Sequence, residues 1–303
     1  MSYRPWTASW ARVGALVVAL AAAPAALAEE VYNPPDPEPS PEETLLLEYV
    51  NRLRADPAKE GARVKADPGA HGEKRELDWD LFLQEMAAAK PAPPLVMNLK
   101  LLLAARRHAY YLAVNDKRGH LEENELSGFT GEKMPERVVE AGYRWIAWYE
   151  NVYAAPDPWA VHAGFVADFN RKSPSGMLEG RGHRVNMLRP ELREVGTGRF
   201  ARERDFIFCE GFGDRKDAVR LAGGVVYVDK DGDGFYSLGE GVGGVVVSAS
   251  DGTSTKTWKS GGWALELKGK DAVTVTFTRG AKSKKVDVPA GKDNAKVDWV
   301  IAK

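Results

Sequence analysis

The chain has 303 residues, of which 44% are hydrophobic and 28% charged, a balance typical of soluble globular proteins with room for two compact units. Its 42 basic and 43 acidic residues nearly cancel, so no excess of positive charge points to a nucleic acid partner. Cys209 is the only cysteine, which excludes an internal disulfide and lipid attachment at an N-terminal cysteine.

The first 28 residues have the pattern of an export leader. Arg4 and Arg12 precede an apolar run, and an alanine-rich stretch closes with a small-x-small cleavage pattern at Ala28. We predict a signal peptide at residues 1–28 and a secreted or periplasmic protein. An uncleaved anchor is the alternative, which Pro24 and the cleavage pattern disfavour. No later segment is apolar enough to span a membrane, so no stable span is expected after cleavage.

Five prolines within residues 33–42 predict an extended Pro-rich linker at residues 29–41, because proline lacks a backbone donor and fixes its φ angle. The folded part is then expected from residue 42. Apolar side chains spaced three and four apart predict amphipathic helices at residues 44–54, 98–115 and 159–170. Two short apolar runs around a charged turn predict a β-hairpin at residues 195–213.

The pattern changes after residue 215. Alternating and β-branched runs recur between Gly-rich or charged turns, and helical periodicity is absent. About seven short strands at this density predict a small β-sandwich. The chain therefore divides into a first domain at residues 42–215 and a second at residues 216–303.

Four stretches of the first domain occur in this order: NDKRGHLEEN, AGYRWIAWYENVYAA, FVADFN and GRGHRVNMLRPELREVGTGRF. Their order and approximate spacing resemble the sequence blocks of the CAP superfamily, also called the SCP or PR-1-like family. The resemblance covers residues 42–213. It implies an α+β chain in which a three-layered α-β-α CAP sandwich is followed by the small all-β sandwich.

The resemblance also implies a central cleft formed by two histidines and two acidic residues, here His120, Glu150, Asp168 and His183. Many relatives have glutamate at the position of Asp168 and tryptophan near Phe165, so the shorter carboxylate has less reach. Neutral imidazoles bind zinc and similar cations, while nearby carboxylates orient the rings or hold a metal-bound water. Zinc or another divalent metal in the cleft is one alternative, and a cleft without metal is the other.

Other candidate residues have simpler interpretations. His108 and His162 are expected to pack and hydrogen-bond within the fold, and His71 to be solvated in a loop. Cys209 could act as a nucleophile with His183, but in an apolar run a cysteine usually behaves as a small hydrophobic residue. Three tryptophans could line a ligand groove, although such residues more often belong to the core: Trp145, Trp148 and Trp159.

A loop in the second domain has the spacing of a calcium site. It begins at Asp229 with D-x-D-x-D-G and reaches Glu240 at its twelfth position, and Asp231, Asp233 and the carbonyl of Phe235 complete the set of oxygen ligands. We predict calcium here; an exposed acidic turn is the alternative. With its flanking strands, the loop resembles the calcium-binding strand repeat of SdrD B-like and Cna B-type adhesin domains, and this resemblance covers residues 220–303.

Two functions are compatible with these features. The first is an extracytoplasmic binding or interaction protein, with an extracellular protein, lipid or cell-envelope component as its ligand and a calcium-stabilised accessory domain. The second is a metal-dependent, peptidase-like hydrolase, with Glu150 as the catalytic general base and His120 and His183 as metal ligands. The chain has no G-x-S-x-G elbow and no HExxH helix, so these two peptidase patterns are excluded.

Overall fold

The structure of the protein is a computed structural model that describes residues 31–69, 76–216 and 219–302. The predicted signal peptide and His71 lie outside these residues. Within them, the first part of the chain forms helices α1 (Pro41–Ala55), α2 (Pro57–Ala66), α3 (Trp79–Ala88), α4 (Leu99–Val114), α5 (Met134–Glu140), α6 (Pro158–Ala167) and α7 (Gly182–Leu188), and strands β1 (Val96–Met97), β2 (Trp145–Ala155), β3 (Glu194–Ala201) and β4 (Phe206–Arg215).

The four strands form one sheet in the order β1-β3-β4-β2, in which β3, β4 and β2 are antiparallel and β1 runs parallel to β3. Side chains alternate across β4: Phe208 and Phe212 join the core that includes α1 and α6, whereas Ile207 and Cys209 face α4. Helices therefore cover both faces, and this part of the chain is a three-layered α-β-α, α+β fold. The predicted hairpin at residues 195–213 is the β3–β4 pair.

The three predicted helices correspond to α1, α4 and α6. At the start of α1, Ser40 and Glu43 form a capping box and Pro41 occupies the first turn, where its missing donor costs nothing. Leu46, Val50 and Leu53 follow at helical spacing and are fully buried. Helix α6 ends earlier than the predicted residue 170, because Asp168 adopts a left-handed conformation with φ of 55°.

The structure also contains elements that the sequence patterns did not predict, namely α2, α3, α5, α7, β1 and β2. The unpredicted helices have ten residues or fewer, too few for a clear periodicity. Strand β2 is longer, with 11 residues, and its aromatic and β-branched composition was the available indication. This omission matters because β2 carries Glu150.

The Pro-rich stretch is extended, as predicted, but it is not a free linker. Residues 31–40 contain no helix or strand, and Tyr32 stacks on Tyr110 of α4 with ring centroids 4.5 Å apart. The buried Arg106 side chain donates hydrogen bonds to the backbone carbonyls of Asp36 and Glu38. The packed structure therefore begins before residue 42.

The second part of the chain is all β. Its strands are β5 (Arg220–Tyr227), β6 (Val246–Ala249), β7 (Ser254–Lys256), β8 (Gly262–Leu267), β9 (Val273–Arg279), β10 (Lys282–Val288), β11 (Ala295–Lys296) and β12 (Trp299–Val300). One sheet has the order β10-β9-β6-β7, and in the other β5 pairs with β8, β11 and β12. The sheets share one core, which includes Val226, Trp263, Val247 and Phe277, so they form a sandwich.

The two parts are packed against each other. Leu45 of α1 lies in one buried cluster with Val225, Tyr227 and Tyr236 of the second part. A shared cluster of this kind is unlike a flexible junction between independent units. Among the described helices, none combines the length and apolar character needed to cross a bilayer.

Candidate functional site

The first pair of predicted cleft residues is His120 with Glu150. Strand β2 presents Glu150, whose Oε2 lies 2.9 Å from Nδ1 of His120, while Nη2 of the buried Arg137 donates to Oε1 at 2.6 Å. Burial alone raises the pKa of Glu150, but the charges of His108 and Arg137 and the hydrogen bonds from His120 and Arg137 lower it to about 2. The carboxylate is therefore fixed and charged, and the His120 side chain in front of it is 54% exposed.

A second layer supports this pair. His108 of α4 is fully buried, with Nδ1 2.8 Å from Oε1 of Glu122 and Nε2 3.7 Å from Oε2 of Glu150. Glu122 also accepts a hydrogen bond from the backbone nitrogen of Thr130. His108 thus packs and hydrogen-bonds as predicted, but the sequence analysis did not identify its position directly behind Glu150. Its place on the inner face of α4 was the available indication.

The second pair is His183 with Asp168. Asp168 caps the end of α6, and its Oδ1 lies 2.6 Å from Nδ1 of His183 near the start of α7. Its other oxygen accepts from the backbone nitrogen of Arg184 at 3.2 Å. The aspartate therefore reaches the histidine despite its short side chain. The ring of Phe165 packs beside His183, and the two ring centroids are 5.0 Å apart.

Asparagines connect the elements that carry the two pairs. Asn151, next to Glu150 on β2, donates to the backbone carbonyl of His183 and to Oε2 of Glu210. Asn186 of α7 donates in turn to Oδ1 of Asn151 and to the backbone carbonyl of Glu150. The two pairs therefore lie on elements held together by a hydrogen-bonded network. Neither asparagine was predicted from the sequence as part of the site, although Asn151 follows Glu150 directly.

The two pairs bear on the question of metal binding in the cleft. Each histidine has Nδ1 oriented by a carboxylate, and neither Nε2 hydrogen-bonds with a residue of the described ranges. Metal-binding histidines have this arrangement, so the donor chemistry suits zinc. However, among the described residues the only group of three or more potential ligand atoms within 4.8 Å of one another is formed by Asp229, Asp231 and Asp233. The cleft side chains form two pairs and not one four-ligand cluster.

The loop after β5 brings together three of the five predicted calcium ligands, the aspartates just named. Glu240 lies outside that group: it is buried, and it accepts hydrogen bonds from the backbone nitrogens of Lys230 at 2.6 Å and Ser237 at 2.9 Å. Carboxylate oxygens this close together suit a hard cation. Through these two hydrogen bonds, the buried Glu240 carboxylate holds the loop backbone together at Lys230 and Ser237.

The same loop contacts the first part of the chain. The Phe235 ring stacks on Tyr49 of α1, with centroids 5.5 Å apart and planes 9° from parallel. The guanidinium of Arg52 lies over both rings, 4.3 Å from the Phe235 centroid and 4.9 Å from that of Tyr49. The seventh residue of the predicted calcium loop is therefore part of the contact between the two parts.

The remaining candidates take structural roles. Cys209 is fully buried, and burial raises the pKa of its thiol well above the usual range, which opposes a nucleophilic role. His162 is buried with Nε2 2.9 Å from Oε1 of Glu60. Trp148 and Trp159 pack against buried clusters, as expected for core residues. Trp145 does not follow this expectation, because 39% of it is exposed.

The sequence model of the cysteine-rich secretory protein family, CAP, matches residues 47–208, more than half of the chain. The chain belongs to this family. All four predicted cleft residues lie within the matched range, and the match ends inside β4. The CAP domain thus provides the sheet and helices that hold the two histidine–carboxylate pairs.

Several solved structures are similar at low identity. An extracellular SCP-domain protein of Bacillus anthracis is 19% identical, over 41% of this chain and 35% of its own, with a TM-score of 0.31. An outer surface protein of Borrelia burgdorferi is also 19% identical, over 40% of this chain and 78% of its own, with a TM-score of 0.31. Venom allergen-like protein 4 of Schistosoma mansoni is 12% identical, over 58% and 92%, with a TM-score of 0.34. No curated protein matches the chain.

Proposed function

We propose that this protein is an extracytoplasmic binding protein whose CAP cleft holds a ligand between His120–Glu150 and His183–Asp168. The observation that carries the proposal is the state of the two histidines. Each has Nδ1 tied to a carboxylate, keeps Nε2 available, and is partly exposed, with 54% and 23% of the side chains accessible. Two imidazole rings held in fixed orientations suit recognition of a protein, lipid or cell-envelope component. The leader pattern at residues 1–28 supports export.

The buried groups behind the cleft support a pre-organised site. Arg137 and His108 hold Glu150, and Asn151 ties β2 to α7, so ligand binding does not have to order these side chains. A site that is ordered in advance loses less entropy on binding. The ligand would therefore meet a fixed surface.

The second part of the proposal is a calcium site in the all-β part of the chain, residues 219–302, called the β module below. Asp229, Asp231 and Asp233 would bind the ion together with the carbonyl of Phe235, and Glu240 would complete the loop from its buried position. The resemblance to SdrD B-like modules points to the same ion. Bound calcium would offset the repulsion between the three close carboxylates and stabilise the module.

A metal-dependent hydrolase is the second candidate, and the free Nε2 atoms of His120 and His183 are the observation that favours it. Glu150 is poorly suited to act as its general base. A pKa of about 2 makes it a weak base near neutral pH, and His120 and Arg137 engage both of its oxygens. The binding function therefore has the better support.

Metal content of the chain from residue 29 onwards, measured by elemental analysis after dialysis against calcium and zinc, tests the calcium site and distinguishes a metal-free cleft from a metal-dependent hydrolase. We compare the wild type with His120→Ala/His183→Ala and with Asp231→Asn/Asp233→Asn. Asp80→Asn/Asp116→Asn is the matched control for the loop, because it removes two exposed carboxylates elsewhere. We expect calcium in the wild type and in the control, and its loss in the Asp231/Asp233 variant.

The outcomes separate the hypotheses. Calcium retained by the Asp231/Asp233 variant would refute the loop site. A transition metal that disappears only with the two histidines would favour the hydrolase and justify a substrate screen. Calcium alone, removed only by the loop variant, would leave the cleft as a metal-free binding site.

A further inference from the structure

An open groove of about 610 Å³ lies where the CAP domain meets the β module, at the start of β2. Its walls come from the N-terminal end of α4, the turn before β2, the end of β4 and strand β8. Trp145 in this groove precedes Glu150 by five residues on the strand, which corresponds to about 16 Å. The groove is therefore separate from the histidine cleft.

Three large apolar side chains in the groove are exposed: Leu99 by 43%, Trp145 by 39% and Ile146 by 55%. Neighbouring side chains on a regular strand point to opposite faces, so Trp145 and Ile146 would not normally share one surface. The register with β4 shifts at this point: Trp145 pairs with Arg215 and Ala147 with Asp214, which leaves Ile146 unpaired. Such bulges re-aim side chains, and here the bulge keeps two adjacent apolar residues in contact with solvent.

Positively charged side chains line the same groove. Lys100, Arg144 and Lys216 also line the groove, are exposed, and form no ion pair with any residue in the described part of the chain. The one acidic residue that lines it, Glu266, is already paired with Arg215. Among its described lining residues, the groove therefore combines three unpaired cations with three exposed apolar side chains.

We propose that this groove binds an anionic lipid at the surface of a bilayer. The three cations would contact the headgroup phosphates, and Leu99, Trp145 and Ile146 would enter the boundary between headgroups and acyl chains. Tryptophan favours this boundary, and lysine and arginine keep their charges at the headgroup level while their stems remain in apolar surroundings. An acidic peptide would satisfy the cations but would leave the apolar side chains without a matched partner.

Vesicle co-sedimentation tests the proposal. The protein used in the test starts at residue 29, because the apolar leader would itself bind vesicles. The vesicles are made of phosphatidylcholine alone or of an equal mixture with phosphatidylglycerol. The charge variant is Lys100→Gln/Arg144→Gln/Lys216→Gln, and the apolar variant is Trp145→Ala/Ile146→Ser. Their matched controls are Lys270→Gln/Lys282→Gln/Lys285→Gln and Val114→Ser/Val300→Ser, which alter exposed residues elsewhere.

We expect the wild type to bind the anionic vesicles and to dissociate as salt rises. Each cation near an anionic surface contributes about a fivefold change in affinity, so the charge variant should bind about 100-fold more weakly. The apolar variant should lose about tenfold or more, and both controls should stay within about twofold of the wild type.

Two results would overturn the proposal. In one, the wild type does not bind anionic vesicles, or the groove variants and their controls lose binding equally. In the other, a soluble poly-glutamate peptide binds the wild type and the charge variant abolishes that binding while vesicles are ignored, which would make the groove a peptide site. Circular dichroism of every variant excludes unfolding as the cause. Since the cleft histidines are unchanged in these variants, their metal content reports separately on the proposed function.

Discussion

Glu210 is a carboxyl group buried at the centre of β4, next to the network that connects the two cleft pairs. Its Oε2 accepts a hydrogen bond from Asn151, and its Oε1 is buried with no hydrogen-bond partner among the described residues. Burial raises the pKa of Glu210 to about 8, although the Asn151 hydrogen bond opposes this. The side chain is therefore protonated at neutral pH.

This pKa makes stability depend on pH. The unfolded chain loses the Glu210 proton near pH 4.5, whereas the folded chain keeps it until about pH 8, so stability falls as pH rises between these values. We expect Glu210→Gln to remove about 1.4 kcal/mol per pH unit of this dependence between pH 5 and 7. Urea unfolding at several pH values measures it. The exposed Glu125→Gln should leave the slope unchanged, and parallel curves for wild type and Glu210→Gln would contradict the prediction.

At the residue scale, the sequence singled out four candidate cleft side chains but not their partners. His120, Glu150, Asp168 and His183 were selected by their sequence blocks, and the structure places them as two pairs. Arg137 could not be predicted as a partner of Glu150, because that contact depends on how α5 packs on β2. In the sequence, Glu210 is indistinguishable from any other acidic residue in a strand. Its raised pKa follows from its burial, which only the structure shows.

Helix α4 and strand β3 approach each other through glycine. A Cβ atom added to Gly196 would lie 2.0 Å from the backbone nitrogen of Leu102, and one added to Gly198 would lie 2.3 Å from that of Arg106. Both contacts are with helix backbone, which cannot move aside as a side-chain end can. The two glycines therefore set the distance between one helical layer and the sheet.

We expect Gly198→Ala to lower the free energy of unfolding by about 3 kcal/mol or more, because the methyl group forces α4 away from the sheet. The matched control is Gly291→Ala, where no neighbouring heavy atom lies within 4 Å and φ is ordinary; its effect should stay within about 0.5 kcal/mol. Chemical denaturation compares the two. Equal effects would show that this close approach does not limit packing.

Among the elements, the long amphipathic helices were predictable, because burial of Leu46, Val50 and Leu53 imposes a helical spacing on α1. The glycine pair in β3 has no such pattern. The sequence VGTGRF indicates a strand only weakly. The need for its two glycines becomes visible only in the structure, where α4 lies across the strand. Strand β2 was not predicted for a related reason. Its residue types depend on contacts with both faces of the sheet and with the cleft, and these contacts are not visible in the sequence.

At the scale of the whole molecule, a partly buried ion cluster connects the CAP domain to the β module. Nζ of Lys296 lies 2.7 Å from Oε2 of Glu48 on α1 and also contacts Asp298. Burial opposes the lysine charge, but the two carboxylates raise the pKa of Lys296 above its usual range. Burial also raises the pKa of Glu48 to about 7, even with the lysine beside it. The cluster depends on one cation shared by two acids.

We expect Lys296→Met to destabilise the protein by about 2 kcal/mol, since it leaves the buried Glu48 carboxyl without its cation in a contact that is partly exposed. Differential scanning calorimetry should also show separate transitions for the two parts, because their contact is weakened. Lys282→Met, on the exposed edge strand β10, is the control and should leave one transition. A single unshifted transition in Lys296→Met would refute this role.

The division of the chain into a mixed α/β part and an all-β part followed from the change of pattern near residue 216. The contact between them did not. Glu48 and Lys296 are distant in sequence, and nothing in either local pattern marks them as partners. Likewise, the prolines predicted a linker at residues 29–41, but they could not show that Tyr32 and Asp36 contact α4.

The N-terminal segment contacts the β module, and this contact affects the order in which the parts of the chain can fold. The backbone nitrogen of Lys259 donates to a carboxylate oxygen of Glu38, 221 positions earlier, and Lys296 meets Glu48 near the end of the chain. A chain emerges with its N-terminus first, so α1 and the segment before it cannot meet these partners until residues 259 and 296 have also been synthesised. During that interval the apolar surface of Leu45 is uncovered. The folding chain would therefore gain its full resistance to proteases and aggregation only after β11 and β12 have emerged.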